Sequence, residues 1–293
     1  MGVFGSLLKL FSSSKKGAVP RINLKDRFNI ESRMGQGSMS KVYRAYDRML
    51  GRTVCLKVLD KAKTARFEAR FVGLQRPNEG QICVSLKHRN IVQTYEWGLT
   101  REGEQFLVME LIEGLGLNFL IETNSKQIQG NRINFLIQAA EGLAYIHDQG
   151  YIHRDICPRN IMVTTTNVVK LIDFGLTIPN RPEFRRPGNR TGTANYMAPE
   201  LIKRIATDHR VDLFALGVTA FETITGALPW EGTQSLQTML SHLNNPGRDP
   251  RELVPDLDDE TVAFLKKAIE RDPRDRFQTA IEFRDALKKL PPR

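Results

Sequence analysis

Between residues 28 and 110, apolar and β-branched side chains alternate with polar ones in short runs, and one helical stretch interrupts them. Alternation with period two predicts half-buried strands, so this part of the chain reads as a small antiparallel sheet with a helix laid against it. Past residue 116 the period lengthens. Ile133, Leu136, Ala140, Leu143 and Ile146 fall on one helical stripe, which predicts a helix buried on a single face. The run Val211-Asp212-Leu213-Phe214-Ala215-Leu216-Gly217-Val218 is apolar nearly all round, the pattern of a helix at the centre of a core. Asp212 inside it would be costly without hydrogen-bond partners. Phe283, Leu287 and Leu290 recur at helical spacing and predict a last core helix over residues 280–290.

The opening of the chain follows another pattern. Phe4, Leu7, Leu8 and Phe11 recur at helical spacing, and Ser12-Ser13-Ser14-Lys15-Lys16-Gly17 then reads as a flexible link. Residues 1–25 are therefore set apart from a folded body over residues 28–289. Met1-Gly2-Val3-Phe4-Gly5-Ser6 also satisfies the N-myristoylation pattern at Gly2, and Lys15 and Lys16 would add attraction to anionic lipid. Peripheral membrane contact through residues 1–16 stands beside a plainer reading, a short amphipathic helix that docks on the body or frays in solvent.

Size and composition narrow the class. A chain of 293 residues exceeds the usual single core and predicts two packed lobes sharing a cleft. No apolar run approaches the roughly 20 residues of a membrane helix, so no integral receptor is expected. Cys55, Cys83 and Cys157 form no C-x-x-C pair, which speaks against a disulfide framework or a zinc site and suits a reducing, cytoplasmic setting. The net charge of +10 would suit nucleic acid, an acidic membrane surface or acidic protein substrates. Its lysines and arginines are scattered rather than interleaved with aromatic residues, so no nucleic-acid partner is expected.

The candidate chemistry lies in a few stretches. Met34-Gly35-Gln36-Gly37-Ser38-Met39-Ser40-Lys41-Val42 sits between two strand-like runs and reads as a hairpin turn. Its glycines would let backbone N–H groups approach phosphate oxygens, although glycines between strands also make ordinary turns. Val54-Cys55-Leu56-Lys57 places a lysine among apolar residues on the next strand. Then come His153-Arg154-Asp155-Ile156-Cys157-Pro158-Arg159-Asn160, Asp173-Phe174-Gly175 and Met197-Ala198-Pro199-Glu200. Together these resemble the catalytic core of a eukaryotic-type (Hanks-type) serine/threonine protein kinase over residues 28–289. The resemblance implies an α+β, bilobal fold: a small antiparallel β-sheet N-lobe with one main helix (28–110), a hinge (111–116) and a mainly α-helical C-lobe (117–289). It also implies transfer of the γ-phosphate of ATP, with Mg²⁺, to hydroxyls of protein substrates.

The same resemblance assigns residues to roles. Asp155 would accept the proton of the incoming hydroxyl, Asn160 and Asp173 would hold metal, and Lys57 would pair with the α- and β-phosphates. Glu79 is expected to hold Lys57. It is preferred to Glu68 because Pro77 suits a first helical turn and would break a helix running through from Glu68. Gly35, Gly37, Ser40 and Val42 would cover the phosphates, Cys55 and Met162 would enclose the adenine ring, and Met109 would border its back. Backbone groups of Glu110 and Ile112 would bond the base. Asp212 would bond the backbone of the His153-Arg154 turn, and Glu200 would pair with Arg276.

Some positions depart from the family pattern. Cys157 stands where serine/threonine kinases usually carry a lysine that neutralises the transferring phosphate, and Arg159 is expected to take over part of that work. Tyrosine kinases share this feature, but Gly192-Thr193 resembles the serine/threonine branch, in which the Thr193 hydroxyl would bond Asp155. A pseudokinase, silenced by Cys157, is the competing reading. Ser40 replaces a third glycine, and Cys55 replaces an alanine above the adenine. Residues 173–200 are rich in arginine (Arg181, Arg185, Arg186 and Arg190) and have few hydroxyls, and Thr191 is the nearest phosphate acceptor, since Asn189 occupies the more usual place. Arg159 and the basic segment together suggest substrates with neutral or acidic sites.

Overall fold

In the computed structural model, which describes residue 19 and residues 21–36, 39–187, 191–231 and 236–293, the alternating runs are strands. They are β1 (Arg21–Ile22), β2 (Phe28–Gln36), β3 (Ser40–Asp47), β4 (Arg52–Leu59), β5 (Thr94–Thr100) and β6 (Gln105–Met109), in the sheet order β1-β5-β6-β4-β3-β2. The pleat divides β4. Val54, Leu56 and Val58 join Phe28, Ala45, Phe106 and Val108 on one face, which turns Cys55 and Lys57 to the other.

The sheet is mixed rather than purely antiparallel. β1 runs parallel to β5, with Arg21 opposite Leu99 and Ile22 opposite Thr100. The folded lobe therefore begins before residue 28 and overlaps the end of the segment expected to stand apart over residues 1–25. The helix α1 (Leu24–Arg27) leads into β2, and Arg27 binds Asp47 through Nε–Oδ1 (2.9 Å) and Nη2–Oδ2 (2.5 Å). Residues 1–16, with the lipid-contact reading, lie outside the described residues.

Two helical pieces, not one, follow β4. These are α2 (Lys61–Glu68), extended by a 3-10 turn at Ala69–Phe71, and α3 (Glu79–Ser85). Asn78 caps α3 by accepting from the Gln81 N–H, and the Gln81 side chain returns the bond. Pro77 thus precedes the cap instead of occupying the first turn as anticipated. The helical run has already ended at Phe71, and left-handed Gly73 (φ 82°) turns the chain before Pro77 is reached.

The expected hinge is shorter than residues 111–116. β7 (Gly114–Gly116) already pairs with β9 (Ile161–Thr164), placing Gly116 opposite Met162. A Cβ on Gly114 would lie 2.1 Å from the Val163 carbonyl oxygen, so only glycine lets the two backbones approach.

The second lobe contains α4 (Leu117–Glu122), α5 (Arg132–Asp148), α6 (Pro199–Ile202), α7 (Arg210–Thr225), α8 (Leu236–Asn244), α9 (Asp259–Ala268) and α10 (Ala280–Leu287). Short strands β8 (Tyr151–Ile152), β10 (Val169–Leu171) and β11 (Ile178–Pro179) lie between α5 and α6, with β10 on β9 and β11 on β8. α10 ends three residues before the predicted limit, yet Leu290 stays buried on the turn that follows. α7 is buried along most of its length, as its all-round apolar pattern requires.

Glu200, on α6, and Arg276 form a fork-to-fork pair at 2.8 and 2.9 Å, both buried. Arg276 also donates to the carbonyls of Glu270 (2.6 Å) and Arg271 (2.9 Å), so every side of the guanidinium is satisfied. Arg276→Ala leaves Glu200 as a buried, unpaired charge. We expect a loss of about 3–5 kcal/mol in urea denaturation; a loss below about 1 kcal/mol would show that the pair is not needed to hold α6.

Candidate active site

Lys57 leaves β4 on the face opposite the small apolar cluster and meets two carboxylates. Its Nζ lies 2.6 Å from Glu79 Oε1 on α3 and 2.8 Å from Asp173 Oδ1. Glu68 makes no such contact. Burial opposes the Lys57 ammonium, but Asp173 and Glu79 outweigh it and raise its pKa above the ordinary lysine value. Burial also opposes the Asp173 carboxylate, and there Lys57 and the Gly175 N–H win, so its pKa falls. Burial prevails at Glu79, whose pKa rises.

The approach of α3 depends on Gly80. A Cβ there would fall 2.5 Å from Trp97 Cγ on β5, so the helix reaches Lys57 only because this position has no side chain.

Asp155 lies across the cleft from Lys57. Its Oδ1 accepts from the Thr193 N–H (2.9 Å) and hydroxyl (2.8 Å), and its Oδ2 accepts from Asn160 Nδ2 (2.9 Å). The same Nδ2 donates to the Asp155 carbonyl (2.8 Å), which leaves Asn160 Oδ1 without a hydrogen bond among the described residues. Asp173 Oδ2 is likewise uncommitted, and the Asp173 side chain is 39% exposed to the cleft. Two hard oxygen donors on adjoining strands' ends, linked by the Ile172 N–H to Asn160 carbonyl bond (2.9 Å), fit a small hard divalent cation.

The loop carrying Asp155 is bent by a left-handed residue, Arg154, at φ 69°. Asp212 holds that bend by accepting from the His153 N–H (2.8 Å) and the Arg154 N–H (2.7 Å), and it also bonds His147 Nε2 (2.9 Å). Burial works against the Asp212 carboxylate, yet these bonds pull its pKa below the ordinary aspartate value. Asp173 is left-handed too, at φ 64°, and the Phe174 ring after it packs 5.0 Å from the His153 ring.

Cys157 is buried with its Sγ 3.8 Å from the Thr193 hydroxyl. Arg159 is exposed and makes no ion pair among the described residues. Its charge reaches Tyr196 and Glu222, which are joined by a 2.5 Å hydrogen bond.

The residues expected to border an adenine ring lie on β4, β6 and β9 and just after β6. Cys55 pairs in register with Met109, Val42 lies opposite Lys57, and Ser40 is buried at the head of β3. Met162 on β9 is half-buried. Gly35 pairs with Val42 at the rim, and Gly37 lies outside the described residues. The Glu110 N–H is already bonded to the Gln93 carbonyl (2.8 Å), so of its backbone groups only the carbonyl is open; the Ile112 N–H is uncommitted among the described residues. Glu110 also uses its carboxylate, accepting from the Gln93 N–H (2.7 Å) and from Lys170 Nζ (2.7 Å) on β10. The sequence reading missed Lys170, Gln93 and Arg76, and a lone basic or amide residue outside any motif offers no signal that could have found them.

A family model described as the protein kinase domain matches residues 28–288, and the chain belongs to that family. It is similar to a probable serine/threonine-protein kinase of Clostridium acetobutylicum, 32% identical over 269 residues, which is 91% of this chain and 40% of the relative. It is also 32% identical over 277 residues to the probable serine/threonine-protein kinase PknB of Corynebacterium glutamicum (90% and 42%). With the serine/threonine-protein kinase PknB of Mycobacterium tuberculosis it shares 31% identity over 277 residues (92% and 43%). The chain thus spans about two fifths of the length of these curated relatives.

Two predictions follow from this geometry. Gly80→Ala should overpack α3 against Trp97 at a cost of about 1–3 kcal/mol and shift tryptophan emission; an unchanged melting temperature and spectrum would mean that α3 is seated elsewhere. Burial pushes the Cys157 thiol up to about 12 and the Cys55 thiol up to about 11. At pH 8, well below both values, the thiolate fraction of Cys157 is about 10⁻⁴, so iodoacetamide should label it only after unfolding. Rapid labelling of Cys157 in native protein, read by peptide mass, would contradict the packing described.

Proposed function

We propose that this chain is an active serine/threonine protein kinase, transferring the γ-phosphate of ATP to hydroxyls of protein substrates. The observation that carries the reading is the convergence of Glu79 and Asp173 on Lys57, while Asp155 is oriented by Thr193 and Asn160. Asp155 accepts the hydroxyl proton as the new P–O bond forms and the bond to the β-phosphate oxygen breaks. Lys57 binds the α- and β-phosphates, and Asn160 Oδ1 with Asp173 holds Mg²⁺. When bound, the metal neutralises charge on the phosphate oxygens.

Cys55, Met109 and Met162 enclose the base, and the Glu110 carbonyl and Ile112 N–H bond it. Gly35, Ser40 and Val42 cover the phosphates. Thr193 bonding Asp155 favours serine or threonine over tyrosine as acceptor. The pseudokinase alternative is set aside because Lys57, Glu79, Asp155, Asn160 and Asp173 are all present and mutually bonded or aligned. Cys157 supplies no charge, and Arg159 compensates in part from its exposed position. An exposed arginine beside the cleft supports substrates with neutral or acidic sites. Free cysteines at 55, 83 and 157 suit a cytoplasmic setting, and no described helix is long and apolar enough to cross a membrane.

The test is transfer of radiolabelled γ-phosphate to a generic protein mixture, followed by phosphoamino-acid analysis. Label should appear on serine and threonine, and Asp155→Asn should lower the rate by about 100-fold or more. Cys157→Lys should raise it if Arg159 compensates incompletely. Equal rates for wild type and Asp155→Asn would remove the kinase reading.

A further inference from the structure

From Ile178 to Arg190 the chain contains no serine, threonine or tyrosine, so the middle of the segment after Asp173 has no hydroxyl to carry a phosphate. Of the flanking threonines, Thr177 is buried against the His153 carbonyl (3.4 Å), the Thr191 hydroxyl is buried, and Thr193 is bonded to Asp155. Lys57, Glu79 and Asp173 are nevertheless in contact, so something other than a phosphate in that stretch aligns them.

Arg76 is placed to do so. It lies in the connection between the 3-10 turn at Ala69–Phe71 and α3, three residues before Glu79. Its Nη2 donates to the Thr177 carbonyl (2.7 Å) and the Gly175 carbonyl (3.4 Å), and its Nε donates to the Thr177 carbonyl (3.2 Å). The guanidinium also lies over the Phe67 ring (4.8 Å) and near the Phe71 ring (5.6 Å), while Phe71 packs 5.9 Å from Phe184 farther along the segment. Gly175 in turn donates its N–H to Asp173 Oδ1 (3.2 Å).

These bonds close a ring. Asp173 connects to Gly175, Gly175 to Arg76, Arg76 through two residues to Glu79, Glu79 to Lys57, and Lys57 back to Asp173. Losing the Arg76 link would leave α3 and the Asp173 turn joined only through Lys57.

We propose that Arg76 is a positioning residue: it keeps Glu79 and Asp173 on the same lysine without a phosphate on the segment that follows Asp173. The proposal rests on the kinase reading above. Without Arg76 the assembled state becomes a minority, and MgATP, which binds that state, has to draw it back. A ligand's apparent affinity then falls in proportion to the competent fraction, while saturation restores much of the turnover.

The experiment uses the full chain, stripped by phosphatase and checked by intact mass. Wild type should keep its rate within about twofold after stripping, and Arg76→Ala should raise the KM for MgATP roughly tenfold while kcat falls much less. Arg76→Lys, which keeps the charge and one donor, should lie between them. In a Trp230→Phe background, Trp97 emission should differ between Arg76→Ala and its parent, and saturating MgATP should erase the difference. The proposal is overturned if stripping abolishes wild-type activity, or if Arg76→Ala leaves KM and kcat unchanged. It also fails if Arg76→Ala lowers kcat and melting temperature with no recovery at saturating MgATP, the mark of a merely structural residue. If wild type transfers no phosphate under any condition, the kinase reading fails instead, and the MgATP titration of Trp97 emission still decides the role of Arg76.

Discussion

One ammonium shared by two carboxylates organises this molecule. Lys57 comes from the sheet, Glu79 from a helix and Asp173 from the far side of the cleft, and the three have no common neighbour in sequence. Burying such a charge is unfavourable unless its partners are bonded with good geometry, so the elements that carry them are constrained together. The pleat of β4, the bare Cα of Gly80 and the cap at Asn78 are each a local solution to that shared requirement.

The second lobe uses buried charge in the same way, but to fix backbone. A left-handed Arg154 is an uncommon conformation for a residue with a side chain, and Asp212 compensates by taking both N–H groups at the bend. Arg276 does for α6 what Asp212 does for the loop. In both cases a charged group in the core has every bond satisfied, and in both cases it sets the direction in which a functional segment leaves the core.

Much of this was legible in the sequence. The all-round apolar run at Val211 to Val218 announced a buried helix, and an aspartate inside it demanded partners. Motif spacing points to the groups around Asp155. What stayed hidden depends on the third dimension. The hinge was overestimated because Gly114 and Gly116 look like loop residues, whereas pairing with Thr164 and Met162 makes them a strand. Pro77 falls just before the cap rather than in the first turn, because Asn78 starts α3. The parallel strand at Arg21–Ile22 is only two residues long, too short for any periodicity to register. Arg76 bonds carbonyls, and a carbonyl carries no sequence signature.

The bond between Glu110 and Lys170 joins groups from opposite lobes, since one closes β6 and the other lies on β10. Any widening of the mouth stretches that attraction, so the pair acts as a latch beside the crossover. Both side chains keep some contact with water, at 24% and 15% exposure. Dissolved ions can therefore weaken the latch, which makes the ease of gaping a property of the surrounding electrolyte as well as of the fold.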